Sequence, residues 1–342
     1  MRDNFQNRTI NRIVFCRLGG IGDVIHTLPL VQYIRNKYPT SSIEYITSHN
    51  VKELLDGCCS FIDKVWVYEK HNEKPLGNNF LKCPALNLIN YFFNLHGNLR
   101  FFLFNLFFVK SKRYFHYKKD KSIHAVVNFA RTYDKSISVF SLDRQVLHVN
   151  ESQEILKENN LKKNRYVCFV PGVGYLRPHR AWSFENWIKL TKKILTGGND
   201  FKVVFLGGEY ESAIFENWIK LAKDVNVYEN DRVISLMGKL SLFETTQVIS
   251  NSSFLVSCDT GLLHIASGLG VRTIGLYGPT LPERTGPFSS ESKIFRAKDC
   301  NCVNNVFDTK KCKKTSEGAG YCMNSLSVDE IFSELCKDVI IY

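Results

Sequence analysis

The sequence predicts two open α/β domains, each a doubly wound sheet of parallel βαβ units, and three observations lead to that expectation. Short apolar runs of strand length alternate with amphipathic stretches of helical period, as parallel sheets with crossover helices require. The rhythm starts twice as strand, glycine turn and helix, once at Arg12 to Gly22 and again at Tyr166 to Gly174. A length of 342 residues favours two domains over one, and 44% apolar residues supply two cores.

Along the chain, Arg12 to Arg17 reads as the first strand and Gly19 to Gly22 as its turn. A helix follows over Asp23 to Lys37, with Val24, Leu28, Val31 and Ile34 on one face and Pro39 beyond its end. Ser42 to Thr47 and Lys64 to Tyr68 are the next strands, and a further strand ends near Leu95 with a turn at Gly97 and a helix after it. The Phe- and Leu-rich run from Ile89 to Val109 is either core or a membrane-docking element. The basic, aromatic stretch Lys110 to Lys121 is either an exposed loop or an anion site. Glu151 to Asn164 reads as a connecting helix and linker. Strands then recur at Tyr166 to Val170, Phe201 to Leu206, Phe254 to Ser257 and Thr273 to Leu276, with a helix from about Ser183 and a last one from about Val328. The expected domains are residues 1–160 and 161–327, with 328–342 a helix returning to the first domain.

A net charge of +12 favours anionic partners, or reflects only a solvated Lys-rich surface. No run of about 20 residues is free of polar interruption, and Met1 to Arg12 lacks an apolar signal core. The expectation is a cytoplasmic protein, with peripheral contact at the inner face of a membrane, and no nucleic-acid partner.

In open parallel sheets ligands bind beyond the carboxyl ends of the strands, where every glycine turn named above falls. Two such domains facing each other would form one central cleft. In Leu18-Gly-Gly-Ile-Gly-Asp-Val-Ile-His26, Asp23 either caps the helix or takes a proton from a hydroxyl. The glycine spacing is not that of a dinucleotide loop. In Val170-Pro-Gly-Val-Gly174 through Trp182, backbone amides near Gly172 and the side chains of Arg177 and Arg180 suit phosphate oxygens. Gly207-Gly-Glu-Tyr-Glu211 offers a carboxylate for ribose hydroxyls. Ser257-Cys-Asp-Thr-Gly-Leu-Leu-His-Ile-Ala266 sets Asp259, Thr260 and Gly261 where a strand becomes a helix, a natural pyrophosphate site, with His264 one turn in. Leu276-Tyr-Gly-Pro-Thr280 follows.

These blocks, in this order, resemble the ADP-heptose:lipopolysaccharide heptosyltransferase family over about residues 12 to 335. The match runs through Leu18 and Gly22 to Pro29, then Asn94 to Gly97, then Pro171, Gly172, Arg180 and Trp182. It continues at Gly207, Gly208 and Glu211, and in the Asp259 and Tyr277 blocks. The resemblance implies the GT-B fold of two Rossmann-like domains and inverting transfer without a required cofactor. It implies Asp23 as catalytic base and Arg180, where Lys is usual, stabilising the leaving diphosphate. Gly22, Gly172, Arg177, Glu211, Asp259, Thr260, Gly261 and His264 would then hold the donor. His26, Asn94, His96 and Arg100 would face the acceptor, with Asn94 replacing the usual acidic residue. The implied partners are ADP-heptose and a lipopolysaccharide core sugar. A protein Ser/Thr acceptor and a catalytically silent nucleotide-sugar-binding subunit are the alternatives, and the retained Asp23, Arg180 and Asp259 argue against the second.

Of the 11 cysteines, Cys16, Cys168 and Cys258 sit in apolar runs and read as core. Cys300, Cys302, Cys312 and Cys322 cluster late in the chain as a Cys-x-Cys pair and two more thiols, a set suited to a structural zinc or iron. Elemental analysis of protein purified without an affinity tag is expected to give about one zinc or iron per chain, lost in Cys312→Ser together with thermal stability. Metal-free protein of unchanged stability would show four ordinary thiols.

Overall fold

The computed structural model describes residues 10–68, 89–150, 153–174, 177–197, 200–221, 230–298 and 321–337. The chain divides into two compact units, Met1–His148 and Val149–Tyr342.

In the first unit β1 (Arg12–Cys16), β2 (Ser42–Thr47), β3 (Lys64–Val67), β4 (Tyr91–Asn94) and β5 (Arg113–His116) form one sheet in the order β3-β2-β1-β4-β5. Every pairing in it is parallel. Its helices are α1 (Ile21–Ile25), α2 (Leu28–Lys37), α3 (His49–Cys58), α4 (Leu99–Phe104) and α5 (Ala125–Ala130). The single helix expected over Asp23 to Lys37 is thus two. Pro29 brings no N–H and fits only near a helix start. At the break the Thr27 hydroxyl donates to the Val24 carbonyl at 2.6 Å and shares a 2.6 Å hydrogen bond with the Tyr45 hydroxyl. The basic stretch Lys110 to Lys121, expected as an exposed loop or an anion site, contains β5, a four-residue edge strand. Only Phe115 is buried in it, so its pattern carried little apolar signal.

The core of this sheet is a row of rings in paired register. Tyr45, Phe15, Phe93 and Phe115 occupy opposing positions on β2, β1, β4 and β5. Their centroids are successively 6.4, 4.5 and 4.3 Å apart, each pair stacked. On the other face Val14 and Phe92 are covered by Phe101 and Phe104 of α4.

In the second unit β6 (Tyr166–Val170), β7 (Lys202–Phe205), β8 (Val233–Ser235), β9 (Phe254–Cys258), β10 (Thr273–Tyr277) and β11 (Ser292–Arg296) form a parallel sheet in the order β11-β10-β9-β6-β7-β8. Its helices are α6 (Gln153–Glu158), α7 (Phe184–Thr196), α8 (Glu209–Leu221), α9 (Leu242–Ser250), α10 (Gly261–Leu269), α11 (Pro282–Thr285) and α12 (Val328–Cys336). Because α6 packs against α9, the boundary falls before the expected residue 160. Ser183 caps α7 by accepting from the Asn186 N–H, and Ser241 with Glu244 forms a capping box on α9. The last helix, α12, was expected against the first domain. Its buried Ile331 and Leu335 instead enter the second unit's core beside α7, and Asp329 pairs with Lys193 at 2.8 Å.

Cys16, Cys168 and Cys258 are fully buried. Burial pushes the Cys168 and Cys258 thiols up to about 12, so they remain protonated fillers of the core. Among the described residues no helix is long and apolar enough to cross a membrane.

Phe93 is flanked by rings on both sides. Phe93→Ala is expected to destabilise the first unit by about 3–5 kcal/mol, read from its urea midpoint. A loss under about 1 kcal/mol would show that the ring row does not hold this sheet.

Candidate active site

Both sheets reverse their strand order at one point, between β1 and β4 in the first and between β6 and β9 in the second. At such a switch point the loops leaving neighbouring strands run to opposite sides and open a crevice at the carboxyl ends. The turns after β1, β4, β6 and β9 lie at these points, while Gly207-Gly-Glu follows β7 and Gly278-Pro-Thr280 follows β10.

In the first unit, Gly19 has φ +153°, a conformation that an L side chain rarely adopts. Gly20 is the N-cap residue of α1, which has no side-chain cap. Asp23 is therefore not spent as a cap. Its half-exposed carboxylate accepts an ion pair from Arg17 at 2.8 Å. Arg17 is itself mostly buried, donates to the Leu95 carbonyl at 2.9 Å and stacks over Phe129. It thus ties the turn after β1 to the turn after β4.

His96 sits in that second turn, half-buried and edge-on to Phe101. Burial, then the charge of Arg17, holds its imidazole below the ordinary histidine value, against a hydrogen bond with the Leu18 backbone and the charge of Asp23. His96 therefore stays neutral around pH 7. Asn94 is fully buried. Its amide donates to the Asn98 carbonyl at 3.1 Å and pairs with the Tyr114 hydroxyl at 2.8 Å, and its oxygen accepts from the Gly97 N–H at 3.1 Å. The acceptor contact expected of Asn94 has no surface to act through, and Asn94 holds the turn instead. His26 is also buried, its ring edge-on to His124, so an acceptor does not reach it in this arrangement. Arg100 belongs to α4, but its side chain lies outside the described residues.

In the second unit the loop after β6 and the start of α8 interlock. Glu211 accepts from the Gly174 N–H at 3.1 Å and from the Gly208 N–H at 3.0 Å. A Cβ at Gly172 would lie 2.0 Å from the Glu211 Cγ, so only glycine fits beneath that carboxylate. Gly22, Gly172 and Gly261 are all partly exposed, as a ligand-facing backbone must be.

Arg180 follows in a single 3-10 turn, Pro178–Arg180. It is 5% exposed and donates from Nη1 to Asp259 Oδ2 at 2.8 Å. An open phosphate clamp was expected, yet the side chain is committed to a buried ion pair. Arg177 is the exposed arginine of this loop. On the other side of the pair, His264 Nε2 lies 3.5 Å from Asp259 Oδ1, and Thr280 hydrogen-bonds the same carboxylate. Burial raises the Asp259 pKa, but the His264 hydrogen bond, the Arg180 charge and Thr280 outweigh it, and the net shift is downward. Burial lowers that of Arg180, opposed by Asp259. The Tyr277 hydroxyl beside them is buried with no hydrogen-bond partner among the described residues.

Thr260 is the N-cap of α10. Its hydroxyl accepts from the Leu263 N–H at 3.5 Å and bonds to Ser257 Oγ at 2.9 Å. The amides that start α10 point outward from the carboxyl end of β9, a favourable place for an anion.

Of the expected metal ligands, Cys300, Cys302 and Cys312 lie outside the described residues. Cys322 lies close to Gly278, where a Cβ would be 3.0 Å from its sulfur and 2.6 Å from that of Met323. This places the segment 321–325 against the Tyr-Gly-Pro-Thr turn. Arg17 and Thr280 were missed by the sequence reading. The first ends a strand and the second closes a motif, and neither position by itself signals its carboxylate partner.

Residues 108–316 match the family model of glycosyltransferase family 9, heptosyltransferase. The chain belongs to this family of glycosyltransferases. It is 28% identical over 162 residues to lipooligosaccharide heptosyltransferase 2 of Haemophilus influenzae, an alignment spanning 47% of this chain and 43% of that protein. Identity to lipooligosaccharide heptosyltransferase 2 of Haemophilus ducreyi is 23%, over 92% of this chain and 95% of that one. The fold is that of the ADP-heptose lps heptosyltransferase II of Escherichia coli, with TM-score 0.74, 18% identity, and coverage of 95% of this chain and 97% of that one. The two parallel sheets are those of the GT-B class.

Asp259→Asn is expected to destabilise the second unit by about 3–5 kcal/mol at neutral pH, because it leaves the Arg180 charge buried without its counter-ion. The lowered Asp259 pKa makes the pair's contribution complete above the unfolded aspartate value of 3.8 and lost as pH falls through the folded one. The gap between wild type and variant in urea should therefore close in acid. A gap that is small at pH 7, or constant with pH, would show that the pair contributes little.

Proposed function

We infer that the chain transfers heptose from ADP-heptose to a hydroxyl of a lipopolysaccharide core sugar, with inversion at the anomeric carbon. The observation that carries this reading is Asp23, a half-exposed carboxylate free of capping duty at the switch point of the first sheet and held by Arg17. Membership of the heptosyltransferase family supports the sugar, and the names of the Haemophilus and Escherichia proteins support the donor and acceptor class.

In this mechanism Asp23 takes the proton of the acceptor hydroxyl as its oxygen bonds to the anomeric carbon. The bond from that carbon to the diphosphate oxygen breaks, and ADP leaves with the electron pair. Arg17 fixes the direction of the carboxylate, and neutral His96 lies near enough to both to line the acceptor side. The second unit holds the donor. The amides starting α10, with Thr260 and Gly261, bind the diphosphate. The exposed Arg177 provides positive charge as the leaving group develops. Asp259 and His264 brace the turn that holds the donor, and Glu211 exchanges its two amide partners for ribose hydroxyls. The chemistry needs no cofactor, a metal at the late cysteines being structural. The enzyme would work in the cytoplasm.

Asp23→Asn should lower transfer from ADP-heptose to a core acceptor by about 10²- to 10⁴-fold while calorimetry shows ADP affinity unchanged. Transfer within threefold of wild type would remove Asp23 as the base. Turnover on a protein serine or threonine but not on the core sugar would reassign the acceptor.

A further inference from the structure

The helix α4 and the turn after it carry more apolar surface than the fold uses. Phe101 and Phe104 are each 1% exposed and, with Val109, complete the core over β1 and β4. The other side of the same element is open: Leu99 is 69% exposed, Leu106 52%, Phe102 40% and Leu103 39%. Four large apolar side chains on one short element form a patch of the kind that soluble surfaces avoid unless something covers it. They make up most of the exposed large hydrophobics among the described residues.

Along the chain, the charge flanking this patch has one sign. No Asp or Glu occurs between Ile89 and Lys119. Lys110 and Lys112 follow the helix directly, Arg113 begins the edge strand, and Lys118 lies beyond it, all exposed. Lys110 is held at the left-handed end of the helical turn, with φ +47°. Arg113 stacks over Phe115 at 4.9 Å on the sheet face opposite α4, so the basic rim of this patch is Lys110 and Lys112.

We propose that the α4 face, Leu99, Phe102, Leu103 and Leu106 with the Lys110 and Lys112 rim, docks this protein onto an anionic phospholipid bilayer. Leucine and phenylalanine side chains on one face of a short helix enter the headgroup boundary, while lysines beside them meet lipid phosphates. The element lies in the plane of the bilayer surface and does not span it. Its position adds a directional consequence. Asn98 caps α4 by accepting from the Phe101 N–H at 3.1 Å, and its carbonyl accepts from Asn94, the residue that holds the turn carrying His96. The docking helix and the His96 turn are thus one rigid piece, so that a docked protein presents this turn close to the lipid surface. Docking does not depend on the proposed donor or acceptor.

Flotation of the purified full-length chain with vesicles of phosphatidylethanolamine and phosphatidylglycerol, against vesicles of phosphatidylcholine alone, tests this. Wild type should float with the anionic vesicles at low salt and less as salt rises. Leu103→Ser with Leu106→Ser should weaken partitioning more than about tenfold. Lys110→Glu with Lys112→Glu should weaken it by roughly fivefold or more per lysine. Unchanged circular dichroism and ADP affinity would show both variants folded, since all four side chains are exposed. Wild type that floats with neither vesicle overturns the proposal, as does a serine variant that partitions like wild type. A serine variant that turns a sedimenting dimer into a monomer also overturns it, because a second copy would then be what covers the face.

Discussion

Parallel strands cannot be joined by a tight turn, and this one constraint arranges everything else in the chain. Each strand must be left at its carboxyl end and re-entered at its amino end, so each connection crosses the sheet. Where the order reverses, at β1 beside β4 and at β6 beside β9, successive crossovers depart to opposite faces. The backbone there has no neighbour to pack on, and glycine, helix starts and charged side chains occupy the space. Sites in both units follow from strand order before any particular side chain is considered.

The two units use charge differently at these points. In the first, the Arg17–Asp23 pair has a buried cation and a half-exposed anion. Solvent and substrate meet the carboxylate, while the guanidinium is fixed from behind by the Leu95 carbonyl and Phe129. In the second, Arg180 and Asp259 are both buried and linked to His264 and Thr280. Such a pair returns little net stability after its desolvation. It does restrict geometry, because each partner has one low-energy place. The loop after β6 and the turn after β9 are joined by this pair, so the two walls of the second crevice keep a set spacing.

The strands most plainly legible in sequence were those buried on both faces, though the edge strand β3 was read too. Tyr166–Val170, Phe254–Cys258 and Thr273–Tyr277 are continuous apolar runs bounded by glycine or polar residues, and nothing competes with that signal. The edges β5, β8 and β11 were missed because they are partly exposed, leaving little apolar pattern to read. Asp23 and Glu211 were visible from their positions after glycine turns, and Asp259 from its place at a strand end just before Gly261. Their partners were not. Arg17 meets Asp23 six residues away across a turn, Arg180 meets Asp259 across 79 residues, and the burial of Asn94 depends on Tyr114 from a strand that was not foreseen. Long-range pairing of charges is a property of the folded sheet and has no local pattern.

The contact between Gly172 and Glu211 reaches beyond this one molecule. Any side chain at 172 would occupy the space of the Glu211 methylene, and a shorter residue at 211 would release the loop amide of Gly174. Neither position can drift by itself without moving the other. Over evolutionary time the two should change together or not at all: a descendant that abandoned the carboxylate would at once be free to lose the glycine.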